Sequence, residues 1–237
     1  MAVYVYSITA DAHPKRLDGL AGVGDPPSQL RTVAGGPLSA VVSDAPESLR
    51  PKRRDLAAHQ AVQERLMADG TVLPLRFGFT APDDDAVRSA LEERREEYVQ
   101  RLAALEGCAE YHLKAAIDEE ALLRQILAES AEARQLNDDI KAGDTNPDLP
   151  LALGELVVNE VQARHQALAA GVIEALRPHT RRERASEPTG SDFLNISFLV
   201  DQEHQEKFLT AEKGLADELG EEFDFRMHGP LPAYSFV

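Results

Sequence analysis

Few side chains in this sequence are of types that do chemistry, and they are scattered. Cys108 is the one cysteine among 237 residues, and a thiolate nucleophile needs a histidine close by. It stands between Gly107 and a strand, with no nucleophile motif around it, so a packed thiol is the simpler reading. Of the seven histidines, His59 lies near and His165 on the apolar stripe of a helix. Neither has a second ligand four residues on, as an HExxH-type zinc site requires, and both read as packing residues. Asp83-Asp84-Asp85 lacks the alternating spacing and closing glutamate of a calcium loop; carboxylates there suit the positive end of a helix. Phosphate chemistry finds no support either. GxxxxGK[ST] is absent, Gly19, Gly22 and Gly24 do not form GxGxxG after a strand, and Gly35-Gly36-Pro37 reads as a turn. A GxSxG elbow is missing as well. The basic runs Lys52-Arg53-Arg54 and Arg181-Arg182-Glu183-Arg184 are short and read as solvated surface. By elimination, a binding or structural role stands ahead of catalysis, with no catalytic residue, metal or cofactor expected.

The charge balance agrees. With 25 Lys plus Arg against 41 Asp plus Glu, the formal net charge is −16, which repels phosphate backbones and argues against nucleic-acid binding. MAVYVYSITADAHPKR lacks the charged and apolar regions of a signal peptide. No stretch approaches the ~18 apolar residues of a membrane span. The expectation is an acidic, soluble, cytoplasmic protein. The acidity is uneven: Met1 to Arg54 holds 7 basic and 5 acidic residues, so the early strands are nearly neutral.

The elements that would position any site come next. Val3–Ile8 and Leu38–Val42 read as strands, and a helix is expected from Asp55 to Asp69, closed by Gly70. Val72–Phe77 is a third strand candidate, whose Pro74 places it at a sheet edge or a bulge. A long helix from Asp83 to Leu105 carries Val87, Leu91, Tyr98, Leu102 and Leu105 on one stripe. Three more strands alternate apolar with polar residues around Tyr111–Ile117, Leu194–Val200 and Phe223–Met227. Two helical regions separate the first pair, one with Leu122 to Leu127 and one with Leu153 to Leu176. A helix bearing Phe208, Leu215 and Leu219 separates the second pair. Lys141–Pro147 and Arg181–Ser191 read as mobile turns. One-sided strands in this order predict an α+β protein with single-sided sheets: an N-terminal ferredoxin-like domain over residues 1–82, a connecting helix over 83–107, and a C-terminal α+β domain of ferredoxin-like variety over 108–237.

The closing segment is unusual. After the stiff Gly229-Pro230-Leu231-Pro232 it ends Tyr234-Ser235-Phe236-Val237, apolar and strand-prone where tails are ordinarily polar and frayed. Tyr234, Phe236 and Val237 are therefore expected to dock on the chain itself; the other outcome is addition to a partner's sheet.

Several segments together resemble the gas vesicle protein F/L family. They are Asp55-Leu-Ala-Ala-His59, Val72-Leu-Pro-Leu-Arg-Phe-Gly78, the run from Glu93 through Ala109 into Glu110-Tyr-His-Leu-Lys114, Leu194-Asn-Ile-Ser-Phe-Leu-Val200, and Gly229-Pro-Leu-Pro-Ala-Tyr-Ser-Phe-Val237. The tail departs from the family in carrying Leu231 and Ala233 where Trp and Pro are usual. The resemblance implies a minor, non-enzymatic gas vesicle component that binds the hydrophobic major shell subunit and assists nucleation or assembly, with other accessory proteins of the vesicle as further candidate partners. It also implies an N-terminal ferredoxin-like domain followed by an α+β domain. The partner surface is placed at Leu75, Arg76 and Phe77, where a proline-interrupted edge adjoins an aromatic expected to be exposed; the same segment would serve equally as a plain structural edge. The competing expectation is a small-molecule sensor with His59, His112 or Tyr111 lining a polar pocket at the domain junction.

Overall fold

The first strand sets the architecture. β1 (Val3–Ala10) is built of β-branched and aromatic residues, suited to a pleated surface packed on both sides, and all but its last residue are buried. Around it, in the computed structural model, which describes residues 1–237, lie β2 (Arg31–Gly35), β3 (Leu38–Asp44) and β4 (Val72–Pro74), in the antiparallel order β2-β3-β1-β4. The two-residue β5 (Thr80–Ala81) also pairs with β1. Pairing of β1 with β3 slips between Val5 and Ser7, a bulge that re-aims side chains. It leaves Tyr4, Tyr6 and Ser7 all bonding toward one side of the sheet.

α1 (Arg53–Asp69) connects β3 to β4 and lies on that side, closed by the Gly70 amide bonding to the Leu66 carbonyl. The connection from β1 to β2 is irregular, and its leucines, Leu17, Leu20 and Leu30, pack against the core of Tyr4, Tyr6, Val23, Val41, Val62 and Leu66.

The expected long helix is two helices, α2 (Asp84–Glu93) and α3 (Arg95–Ala104), joined at Arg94 with φ −107° and ψ 23°. Rather than bridging, α2 packs on β2 and β3, and α3 on β1 and β4. This sheet is therefore covered on both faces, which explains why β1 reads apolar almost throughout. Asp83 caps α2 by accepting the Ala86 amide at 2.8 Å. Asp84 forms two bonds to Arg31 of β2 at 2.9 and 3.2 Å. The acidic run thus starts a helix and fastens it to the sheet.

The second sheet has the order β7-β8-β6-β9, built from β6 (Cys108–Ile117), β7 (Arg182–Ala185), β8 (Asp192–Asp201) and β9 (Phe223–Leu231). Between β6 and β7 run three helices, not two: α4 (Glu119–Glu129), α5 (Ala131–Lys141) and the 29-residue α6 (Asp148–Leu176). Asp118 and Ser130 cap the first two through the amides of Ala121 and Ala133. α7 (Gln205–Leu219) joins β8 to β9. β7 lies inside the stretch that reads as a mobile loop. Its residues are Arg-Glu-Arg-Ala, largely exposed, and a charged edge strand hides its pairing from any reading of hydrophobic alternation.

Both sheets place their first four strands in the ferredoxin-like order 2-3-1-4, and the protein is an α+β protein of two units. Their limits differ from the sequence-based ones. One unit comprises residues 1–111 together with 229–237, the other residues 112–228. α2 and α3 belong to the first because they complete its core. So does the closing segment.

Candidate functional site

His59 is the centre of a buried polar cluster in the first unit. α1 carries it inward with Gln63 one turn later. Its Nδ1 lies 2.8 Å from the Tyr4 hydroxyl and its Nε2 3.2 Å from the Tyr234 hydroxyl. The Gly78 amide donates to the Tyr4 oxygen at 3.2 Å, so the hydroxyl is held from the backbone side as well as by the imidazole. Gln63 donates to the Tyr6 carbonyl at 2.6 Å and accepts from Ser7. Tyr6 is fixed in turn by Ser43 at 3.0 Å and by the Val23 amide at 2.8 Å. Asp55, one turn before His59, accepts the Gly24 amide at 3.0 Å. The Tyr6 hydroxyl would lie 2.8 Å from a Cβ at Gly22, so only glycine fits there.

Burial shapes the protonation of these groups. Desolvation disfavours the charged imidazole and pushes His59 down to about 4, so the ring is neutral at pH 7. Tyr4 and Tyr6 are raised for the same reason. Desolvation, aided by the negative charge of Glu110, pushes Tyr234 up to about 12. These groups hold structure in their neutral forms; none is poised as an acid or base near neutrality.

The closing segment completes the cluster. Beside Tyr234, Ser235 donates both its amide (2.8 Å) and its hydroxyl (2.6 Å) to the buried Glu110 carboxylate. Phe236 and Ala233 are buried and Val237 half-buried. Gly229 is sterically required, since a Cβ there would lie 2.5 Å from the Tyr111 ring.

The segment after β4 presents a different surface. β4 is the end strand of its sheet and finishes at Pro74. Leu75 still donates to the Tyr6 carbonyl at 2.9 Å, and the Phe79 amide then turns back to the Arg76 carbonyl at 3.3 Å. Phe77 is not the exposed aromatic of the sequence reading. It is half-buried, with its ring centroid 5.8 Å from those of both Tyr4 and His59. The exposed one is Phe79, 53% accessible, next to exposed Arg76 across one turn. Its backbone is anchored, because its carbonyl accepts the Val5 amide at 3.0 Å.

The other reactive types sit elsewhere. His112 bonds Ser197 through Nδ1 at 3.1 Å. His165 packs against Phe193, and burial lowers its pKa. The Cys108 thiol donates to the Glu106 carbonyl at 3.6 Å. No group of three or more His, Cys, Asp or Glu is placed to hold a metal ion.

Three of the segments singled out in the sequence, Asp55–His59, Val72–Gly78 and the closing Gly229–Val237, thus meet around one imidazole. A family model for the gas vesicle synthesis protein GvpL/GvpF matches residues 2–237. The chain belongs to that gas vesicle family. Gas vesicle protein F of Streptomyces sp. (strain CB03234) is 44% identical over 238 residues, covering 100% of both chains. Gas vesicle protein L of the same organism is 28% identical over 256 residues, covering 99% of this chain and 92% of that one. The crystal structure of GvpF from Anabaena sp. PCC7120 matches with a TM-score of 0.88 at 22% identity, over 99% of this chain and 97% of that one. This chain is thus nearer to an F protein than to the L protein of one organism. Within the gas vesicle family fold, Tyr4, Gln63, Glu110 and Phe79 are what the residue-by-residue reading passed over. Gln63 alone left a usable signal, standing four residues after His59 on the same helical face.

Proposed function

We propose that this protein is a non-enzymatic component of gas vesicle assembly that works in the cytoplasm by holding the hydrophobic shell-forming subunit. The proposed contact surface is the turn after β4, comprising Leu75, Arg76 and Phe79, with Phe77 supporting it from within. The observation that carries the proposal is Phe79, a large exposed aromatic on a backbone pinned to β1. It lies beside a sheet edge that stops at a proline, and such a rigid apolar projection next to an unpaired edge is suited to an apolar or strand-forming partner. Membership of the family supports the vesicle context, and the net charge of −16 suits a protein that keeps a hydrophobic subunit dispersed.

Capture of the purified shell subunit by full-length variants tests the reading. Phe79→Ala and Arg76→Glu should each weaken capture by about tenfold, roughly 1.4 kcal/mol, with unchanged circular dichroism. Capture equal to wild type by both folded variants removes this surface from consideration. Phe77→Ala should act differently, lowering stability because its ring packs on Tyr4 and His59.

A further inference from the structure

In the second unit, α4, α6 and α7 leave an open groove of about 430 Å³. Its floor is Leu122 and Val172, both buried, and Leu168 and Leu219 form its walls. On α6 the lip is low. Ala167 and Gly171, four residues apart, are exposed there, and a Cβ built on Gly171 meets no atom within 4 Å. The groove is too small for a whole helix but takes the apolar stripe of one. The low lip lets a helix backbone approach closely.

The rim is acidic. Arg164 is the one cation lining the groove, and its guanidinium is already engaged by Glu129 at 2.7 Å and Glu160 at 3.5 Å. Gln125, also lining it, bonds Glu222 at 3.3 Å. Glu129 and Glu160 thus pair with Arg164, and Glu222 with Gln125, so three carboxylates stand against two lining side chains in a chain of net charge −16. A second copy of this chain, an anionic lipid surface or a nucleic acid would each bring like charge to that rim. Lys and Arg flanking an apolar stripe would not.

We infer that this groove docks an amphipathic α-helix of a partner protein, one with an apolar stripe bordered by basic residues. The apolar floor supplies the burial, the rim selects the sign of charge, and the small residues of the lip set the approach. The surface is separate in residues from the turn after β4, so it stands whether or not that turn holds the shell subunit.

The test titrates the full-length protein with a labelled synthetic amphipathic helix of leucine and lysine, and with a leucine–glutamate peptide of the same pattern. The expected result is saturable binding of the Leu/Lys peptide alone. Filling the groove by Ala167→Trp should weaken it at least about tenfold while leaving every charge in place. Reversing the rim by Glu129→Lys with Glu222→Lys should weaken it similarly and flatten its salt dependence. Gly171→Leu fills the same space with a better helix former and serves if the tryptophan variant misfolds. Equal affinity of wild type and folded groove-filled variants, or equal binding of the Leu/Glu peptide, overturns the inference. Shell-subunit capture is scored separately and bears on the β4 turn alone.

Discussion

The two units solve one topological problem with different materials. Each arranges its strands 2-3-1-4, yet the first buries a hydrogen-bonded set of Tyr4, Tyr6, His59, Gln63 and Ser7, whereas the second is centred on Phe198, Phe208, Leu176 and Ile196. Buried polar groups cost free energy unless every partner is present. The first unit is therefore specified by directional bonds that fail singly, and the second by volume. Directional bonds also depend on protonation, so pH should act more strongly on the first unit, where burial holds His59 down to about 4, than on the second, where burial lowers His165 and raises Glu212.

Four measurements break or sharpen this contrast. The largest effect is expected from Phe198→Ala, since the ring is fully buried and packs on Phe208 at 5.4 Å; loss of such a side chain costs about 3–5 kcal/mol. Hydrogen exchange should show faster opening in residues 112–228 and little change around β1. Next comes Glu110→Ala, which strands the amide and hydroxyl of Ser235 and should cost about 2–4 kcal/mol, charge-assisted bonds being the stronger kind. Protection should be lost in residues 229–237 and in β1, and an effect confined to the second unit would contradict the contrast.

The third effect is a pH dependence. The folded His59 ring takes up a proton only below about 4, the unfolded one near 6.5. Between those values only the unfolded chain binds the proton. Stability of the first unit should therefore fall as pH drops from 7 toward 4, by roughly 2–3 kcal/mol, and level off below. His59→Gln should be the less stable protein at pH 7, with the gap to wild type closing by pH 4. A gap that stays constant with pH means that the imidazole is not held neutral by the fold. The smallest effect is expected from Arg88→Ala, because its pair with Asp85 is exposed on both sides. Such pairs are worth about 0.5 kcal/mol or less, and urea midpoints should nearly coincide.

Strong local signals were legible in the sequence. The strand at Val3, the helix closed by Gly70, the edge strand at Pro74 and the acid-started helix at Asp83 each have a cause within a few residues. What escaped depends on distant partners. β2 and β7 are short strands rich in charge or small residues, and they exist because β3 and β8 pair with them. The break at Arg94 follows from wrapping α2 and α3 over one sheet. At the site, Asp55, His59 and Tyr234 stood in segments already singled out, but nothing local links positions 175 residues apart. Phe79 rather than Phe77 is the exposed ring because the strand ends at Pro74, three residues before the Phe77 at which the sequence-based strand stops.

The first unit is discontinuous in the chain, its last piece being residues 229–237. During synthesis, β1 to α3 emerge first, and domains commonly begin to fold as they emerge. Tyr4, His59 and the partners of Ser235 must then wait while the whole second unit is translated. Over that interval, the unit that carries Phe79 exists without its final bonds. Translation thus imposes an order of completion, with the second unit whole before the first is closed, and a ribosome that stops early releases a chain whose first unit stays open.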